Sequence, residues 1–134
     1  MKYYNVENYV RYKLDLEETL KNMERDGEIV YSDTEGTVDY MQMTNSSIIK
    51  MWMPLCEALA RKFATSQQAS GVMDITDLIS CGHLGLCKAV AKLDRQMLSE
   101  SEDPEKTIKS FLSKRIRGAI RRQIDINRGD MRIP

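Results

Sequence analysis

Apolar residues recur every three to four positions in four stretches of this chain, the signature of amphipathic helices. Val, Ile and Thr form no alternating runs bounded by turn signals, apart from a short stretch at Glu28–Tyr31, so no sheet is expected. Tyr9, Tyr12, Leu16, Leu20 and Met23 predict a first helix from about Asn5 to Arg25, closed by Asp26-Gly27. The acidic stretch from Glu28 to Asn45, with its Gly, Thr and Ser, reads as a linker or poorly packed loop. Trp52, Leu55, Leu59 and Phe63 give the stripe of a second helix over Ser46–Ala64, in which Pro54 marks a first turn or a kink. A polar loop over Thr65–Gly71 follows. Asp74 and Asp77 are spaced as a capping box, and the helix they open runs to about Leu93. Residues 95–107 read as an acidic connection, and a last helix covers about Ile108 to Ile126, with Leu112, Ile116, Ala119, Ile120 and Ile124 toward the core.

The central helix is apolar on more than one side. Ile75, Ile79, Gly82, Leu86, Val90 and Leu93 make an ordinary core stripe, while Ser80, Cys81, His83, Leu84 and Cys87 on the other side are small or weakly polar. A helix without a polar outward face usually buries that face as well, within its own domain or against a partner. Gly82 and Gly85 each cost about 1 kcal/mol against Ala in a helix interior, which makes sense where another backbone approaches closely.

One compact all-α bundle accounts for 134 residues at 42% hydrophobic content, with residues 46–134 as the principal domain and residues 1–45 as an additional N-terminal helix and acidic linker. Three cysteines, an odd number, with no signal-peptide pattern and no membrane span, point to reduced thiols and a cytoplasmic protein. The formal net charge of zero hides a gradient. Residues 1–50 carry 6 Lys/Arg against 10 Asp/Glu, whereas residues 105–134 carry 9 against 3. Lys114, Arg117 and Arg121 form one basic line on the last helix, and Arg115 and Arg122 a second beside it, a surface suited to tracking phosphates.

Three blocks, in order, resemble region 2 of the sigma-70 family of transcription initiation factors. The first leads from Pro54-Leu55 to Leu59-Ala60-Arg61-Lys62-Phe63, the second runs from Asp77 to Val90 in the pattern D-L-I-x-x-G-x-L-G-L-x-K-A-V, and the third runs from Lys114 to Arg122. Met131-Arg132-Ile133-Pro134 is similar to the passage into the family's next region. The resemblance implies a helical domain without catalytic activity, cofactor or metal, whose partners are core RNA polymerase and promoter DNA. Its central helix would dock on the clamp coiled coil of the largest polymerase subunit through Asp77, Ser80, Cys81, His83, Leu84 and Cys87, with Cys81 and His83 replacing the family's usual acidic or amide side chains. Its last helix would engage the −10 element through Phe111, Lys114, Arg115, Arg117, Arg121 and Arg122. Phe111 matches a key aromatic of the family, Lys114 and Arg115 replace its tryptophan pair, and Ile108 replaces a further aromatic, which leaves Arg115 as the substitute stacking platform. Gly118 occupies a duplex-reading position without a side chain, so Arg121 and Arg122 are the expected readers of the upstream edge. The helix-turn-helix domain that grips the −35 element is not found after Pro134, so the chain either is an excised domain or resembles the minimal, phage-like sigma factors that work with an accessory factor.

Three other classes compete, of which stand-alone duplex binding lacks a visible helix-turn-helix signature. The pairing of His83 with Cys81 and Cys87 invites a metal or nucleophilic site, but at helical spacing Cys81 and His83 point about 200° apart, so neither a tetrahedral site nor a nucleophile-base pair assembles. A sigma mimic or antagonist would occupy the polymerase without opening promoters, a reading that the missing tryptophans favour and the basic last helix opposes.

Overall fold

The computed structural model describes residues 2–31, 38–64 and 73–131. Among them are five helices: α1 (Lys2–Arg25), α2 (Asn45–Ala64), α3 (Ile75–Ala91), α4 (Arg95–Glu100) and α5 (Pro104–Met131). The polar loop expected over Thr65–Gly71 lies outside the described residues. The all-α expectation holds, and the one extended pairing among the described residues is an isolated bridge between Tyr31 and Val38.

The helix ends follow from local chemistry. Gly27 takes φ 72°, a left-handed conformation that a side chain would strain. It lets the Glu28 amide donate to the Met23 carbonyl at 2.8 Å and the Gly27 amide donate to the Glu24 carbonyl at 3.2 Å, a Schellman closure of α1. Thr44 Oγ1 accepts from the Ser47 amide at 3.1 Å and opens α2. Asp74 accepts from the Asp77 amide at 2.9 Å and opens α3 as expected, although only this half of the capping box is made. Asp103 accepts from the Lys106 amide at 3.2 Å, and Pro104 takes the first position of α5, where its missing N–H costs nothing. Pro54 lies well inside α2, where it leaves the Lys50 carbonyl without its usual helical donor.

The bundle is organised around α3, which packs against both α2 and α5, while α1 lies on α2 and α4 on α5. α5 supplies Ile108, Leu112, Ile116, Ile120 and Ile124, an unbroken line at four-residue spacing, all essentially without solvent exposure. Each such side chain contributes about 1.5–3 kcal/mol of burial. α2 contributes Trp52, Leu55, Leu59 and Phe63, the four residues of its expected stripe.

Several expectations are corrected. On α1, Tyr12 and Met23 are buried and Leu16 and Leu20 partly so, but Tyr9 is 54% exposed. Asn8 takes the inward position instead: its side-chain amide donates to the Ala58 carbonyl at 3.0 Å and accepts from Arg61 Nε at 2.9 Å. The segment after α1 is packed, since Ile29, Tyr40 and Met43 are buried and Glu28 pairs with Lys50 at 2.9 Å. The acidic connection contains α4, capped by Asp94 and anchored by buried Leu98. Arg95 ties α4 back to the Met43 carbonyl and Asn45, and α5 begins one turn earlier than its apolar pattern implied.

α3 faces the core with Leu78, Gly82, Gly85, Leu86, Ala89 and Val90, whereas Ile75 is exposed and Ile79 and Leu93 are only partly buried. The small residues set the helix separation. A Cβ on Gly82 would lie 2.8 Å from Cys56 Sγ, and one on Gly85 would lie 2.6 Å from the Ala119 Cβ and 3.3 Å from the Arg115 carbonyl. A Cβ on Gly118 would meet nothing within 4 Å. We therefore expect Gly85→Ala to destabilise the fold by about 1–3 kcal/mol through overpacking, and Gly118→Ala to stabilise it by up to about 1 kcal/mol through helix propensity. Urea denaturation of the two variants checks this; equal effects at both positions would contradict the close α3–α5 approach.

Cys56 lies in this same packed layer. Burial, then the charges of Glu57 and Cys87, push its thiol up to about 12, from 9.0 in an open chain. The folded form therefore holds its proton where the unfolded chain has lost it, so the stabilisation is complete below pH 9 and fades as pH rises from 9 toward 12. Burial raises Tyr40 and Tyr12 in the same sense at higher pH. Unfolding free energy should stay level to about pH 8 and then fall, on the order of 2 kcal/mol by pH 11 from Cys56 alone. A denaturation series across that range, repeated with Cys56→Ala, should show a shallower decline in the variant.

Candidate nucleic-acid and partner interface

The close approach at Gly85 brings the two helices singled out by sequence side by side, and their outward residues fall into three surfaces. The first is the outer face of α3. Asp77, Ser80, His83 and Leu84 are exposed there, with Cys87 half-buried on the flank. Leu84, at 56% exposure, is the large apolar side chain on this face. The expectation that the face is covered is not met within the chain itself, so it is open to a partner. Cys81 departs from the group: it is half-buried and turned toward α5, its thiol raised by burial and by Asp77, so it stays protonated at neutral pH.

The second surface is the outer line of α5. Lys114, Arg117 and Arg121 are exposed and form no ion pair with any described residue. Cations not engaged in an ion pair remain available to an external anion.

The third is the groove between α3 and α5. It encloses about 320 Å³, and the second basic line of α5, Arg115 and Arg122, forms one of its walls. Lys88 and Lys92 of α3 form the other, and Gly85, Ala89, Gly118 and Ala119 line it between them, with Leu84 and Gln123 at its edges. Among the described residues no carboxylate lines it. Phe111 is half-buried, and the Arg115 guanidinium sits 4.6 Å from its ring centroid, so the aromatic face expected to stack on a base is already covered. The outer face of that guanidinium is the flat surface left for stacking. Ile108, aligned with a family aromatic, is fully buried and takes no part.

Lys88, Lys92 and Gln123 are groove residues that sequence reasoning did not assign. The available signal was the four-residue spacing of Lys88 and Lys92 at the end of a helix, a pattern that also serves simply to offset the helix dipole. Among the described residues no group of three or more His, Cys, Asp or Glu is placed to hold a metal ion, and no helix is long and apolar enough to cross a membrane. No family model, curated protein or solved structure matches this chain.

Proposed function

We propose that this protein is a sigma-type initiation factor, in which α3 docks on the clamp coiled coil of core RNA polymerase and α5 engages the −10 element of promoter DNA. One observation carries the reading: two helices packed directly on each other divide their outward residues into an apolar-centred face around Leu84 and a cationic line on α5 whose Lys114, Arg117 and Arg121 form no ion pair with any described residue. The first has the composition of a protein contact, a single large apolar anchor ringed by small polar groups. The second has the composition of a phosphate contact. The order of the D-L-I-x-x-G-x-L-G-L-x-K-A-V and R-I-R-G-A-I-R-R blocks supports assigning these faces to polymerase and promoter respectively.

Arg115 has the leading role in holding an unstacked base, because its guanidinium is braced by Phe111. Arg117, Arg121 and Lys114 hold the backbone, and Arg122 stands between that line and the groove. In vitro transcription with core polymerase tests the proposal, with promoter-dependent run-off product as the expected result. Displacement of a resident sigma with no product would replace it by the antagonist reading, which the covered ring of Phe111 favours. Absence of both polymerase binding and product would overturn it.

A further inference from the structure

We infer that the groove between α3 and α5 is a nucleotide site: the four cations on its walls hold the phosphate of one nucleotide unit, and its Gly/Ala lining receives the flat base or sugar. The inference deepens the proposed function and rests on α5 being the nucleic-acid helix. Among the described residues, the four charged ones that line the groove are all positive, in a protein whose net charge is zero. Two of them, Lys88 and Lys92, lie at the C-terminal end of α3, where the helix dipole accounts for them. Arg115 and Arg122 lie mid-helix in α5, where it does not. Like charges gathered from two helices around a concavity repel one another, and an anion between them converts that repulsion into attraction.

Shape narrows the anion. At about 320 Å³ the groove is at the small end of ligand pockets, the size for one nucleotide unit rather than a run of them. Gly118, on its lining, leaves room at this edge, since a Cβ there would meet nothing within 4 Å. Arg115 is braced against Phe111 before any ligand arrives, which lowers the cost of ordering it. Gln123 offers both a donor and an acceptor to a base edge. The same chemistry arises from a residue within a strand or from a free nucleotide, and the two sources are separable by experiment.

The test measures binding of a short fluorescein-labelled single-stranded DNA, and separately of ATP, to the full chain across a salt series. Gly118→Leu extends an apolar side chain from the groove lining and keeps every charge; its Cβ would meet nothing within 4 Å, and the circular dichroism of the variant checks that the fold is kept. The substitution should weaken binding about tenfold, the loss of one stacked base, without changing the salt slope. Lys88→Gln with Lys92→Gln should weaken binding and lower the slope for the strand by up to about 0.7, the share of the one phosphate that the groove holds. Strand binding that responds to both variants supports the site with a strand residue as its ligand. ATP binding that responds to both, with no strand binding, supports the site with a free nucleotide and refutes the nucleic-acid role of α5. Strand binding unchanged by Gly118→Leu leaves α5 as a nucleic-acid helix but overturns the groove. Failure to bind either ligand at low salt overturns both.

Discussion

Leu84→Asp should weaken retention on core RNA polymerase by at least about thirtyfold, roughly the 2 kcal/mol of an interface hot spot, while leaving the helical circular dichroism unchanged. The two halves of this outcome come from different physics. Leu84 is 56% exposed in the folded chain, so the substitution creates no cavity, and its effect on stability should stay within about 0.5 kcal/mol. The new carboxylate sits one turn before Lys88, a favourable i,i+4 pair that offsets the poorer helix propensity of Asp. Against a partner the same carboxylate must give up water, a cost that an exposed pairing with Lys88 offsets only in part, and Asp77 on the same face adds like charge. Because Leu84 also borders the α3–α5 groove, the assay is run with polymerase alone and no DNA. Undiminished retention would make Leu84 an ordinary exposed apolar residue, of which folded proteins carry many. Loss of the circular dichroism signal would show that the side chain supports the fold.

The parts of the fold that depend on neighbouring residues were legible in the chain. Asp74 as a cap, Gly27 as a terminator and the Leu112-Ile116-Ile120-Ile124 line each express a rule spanning a few residues, and each is found where expected. Misreadings arose where a distant contact decided the outcome. Tyr9 fits the helical stripe as well as Tyr12 does, but Asn8 turns inward because the Ala58 carbonyl and Arg61, some fifty positions along the chain, offer it hydrogen bonds. Ile29, Tyr40 and Met43 are too widely spaced to form a periodic pattern, so their burial in an acidic, Gly-bearing segment left no local signal. The site divides in the same way. The exposed cations of α5 follow from its periodicity, as does the outer face of α3. The groove does not, because it depends on Gly85 meeting Ala119, and no spacing rule within one helix announces which residue of another it will touch.

Joint replacement of Arg117, Arg121 and Arg122 by Ala should produce the largest loss in DNA binding. Each phosphate neutralised on a duplex contributes about 0.9 to the slope of log affinity against log salt, so three lost contacts lower the slope by about 2.7. Extrapolated from molar to about 0.1 M salt, each contact is worth about eightfold, and the triple variant should bind promoter complexes on the order of several hundredfold more weakly. The three side chains are exposed and form no ion pair with any described residue, so their removal releases no buried charge and should leave stability within about 0.5 kcal/mol. Polymerase retention without DNA should be unaffected, because the three arginines lie on α5 and the docking face on α3. The measurement is the affinity of the polymerase–factor complex for promoter DNA at several salt concentrations, for the original chain and the variant side by side. Parallel lines of unchanged slope would mean that these arginines do not meet phosphate. A slope change with retained affinity for only some promoter sequences would instead assign Arg121 or Arg122 to base edges, where a bidentate guanidinium contact discriminates by about 1–3 kcal/mol.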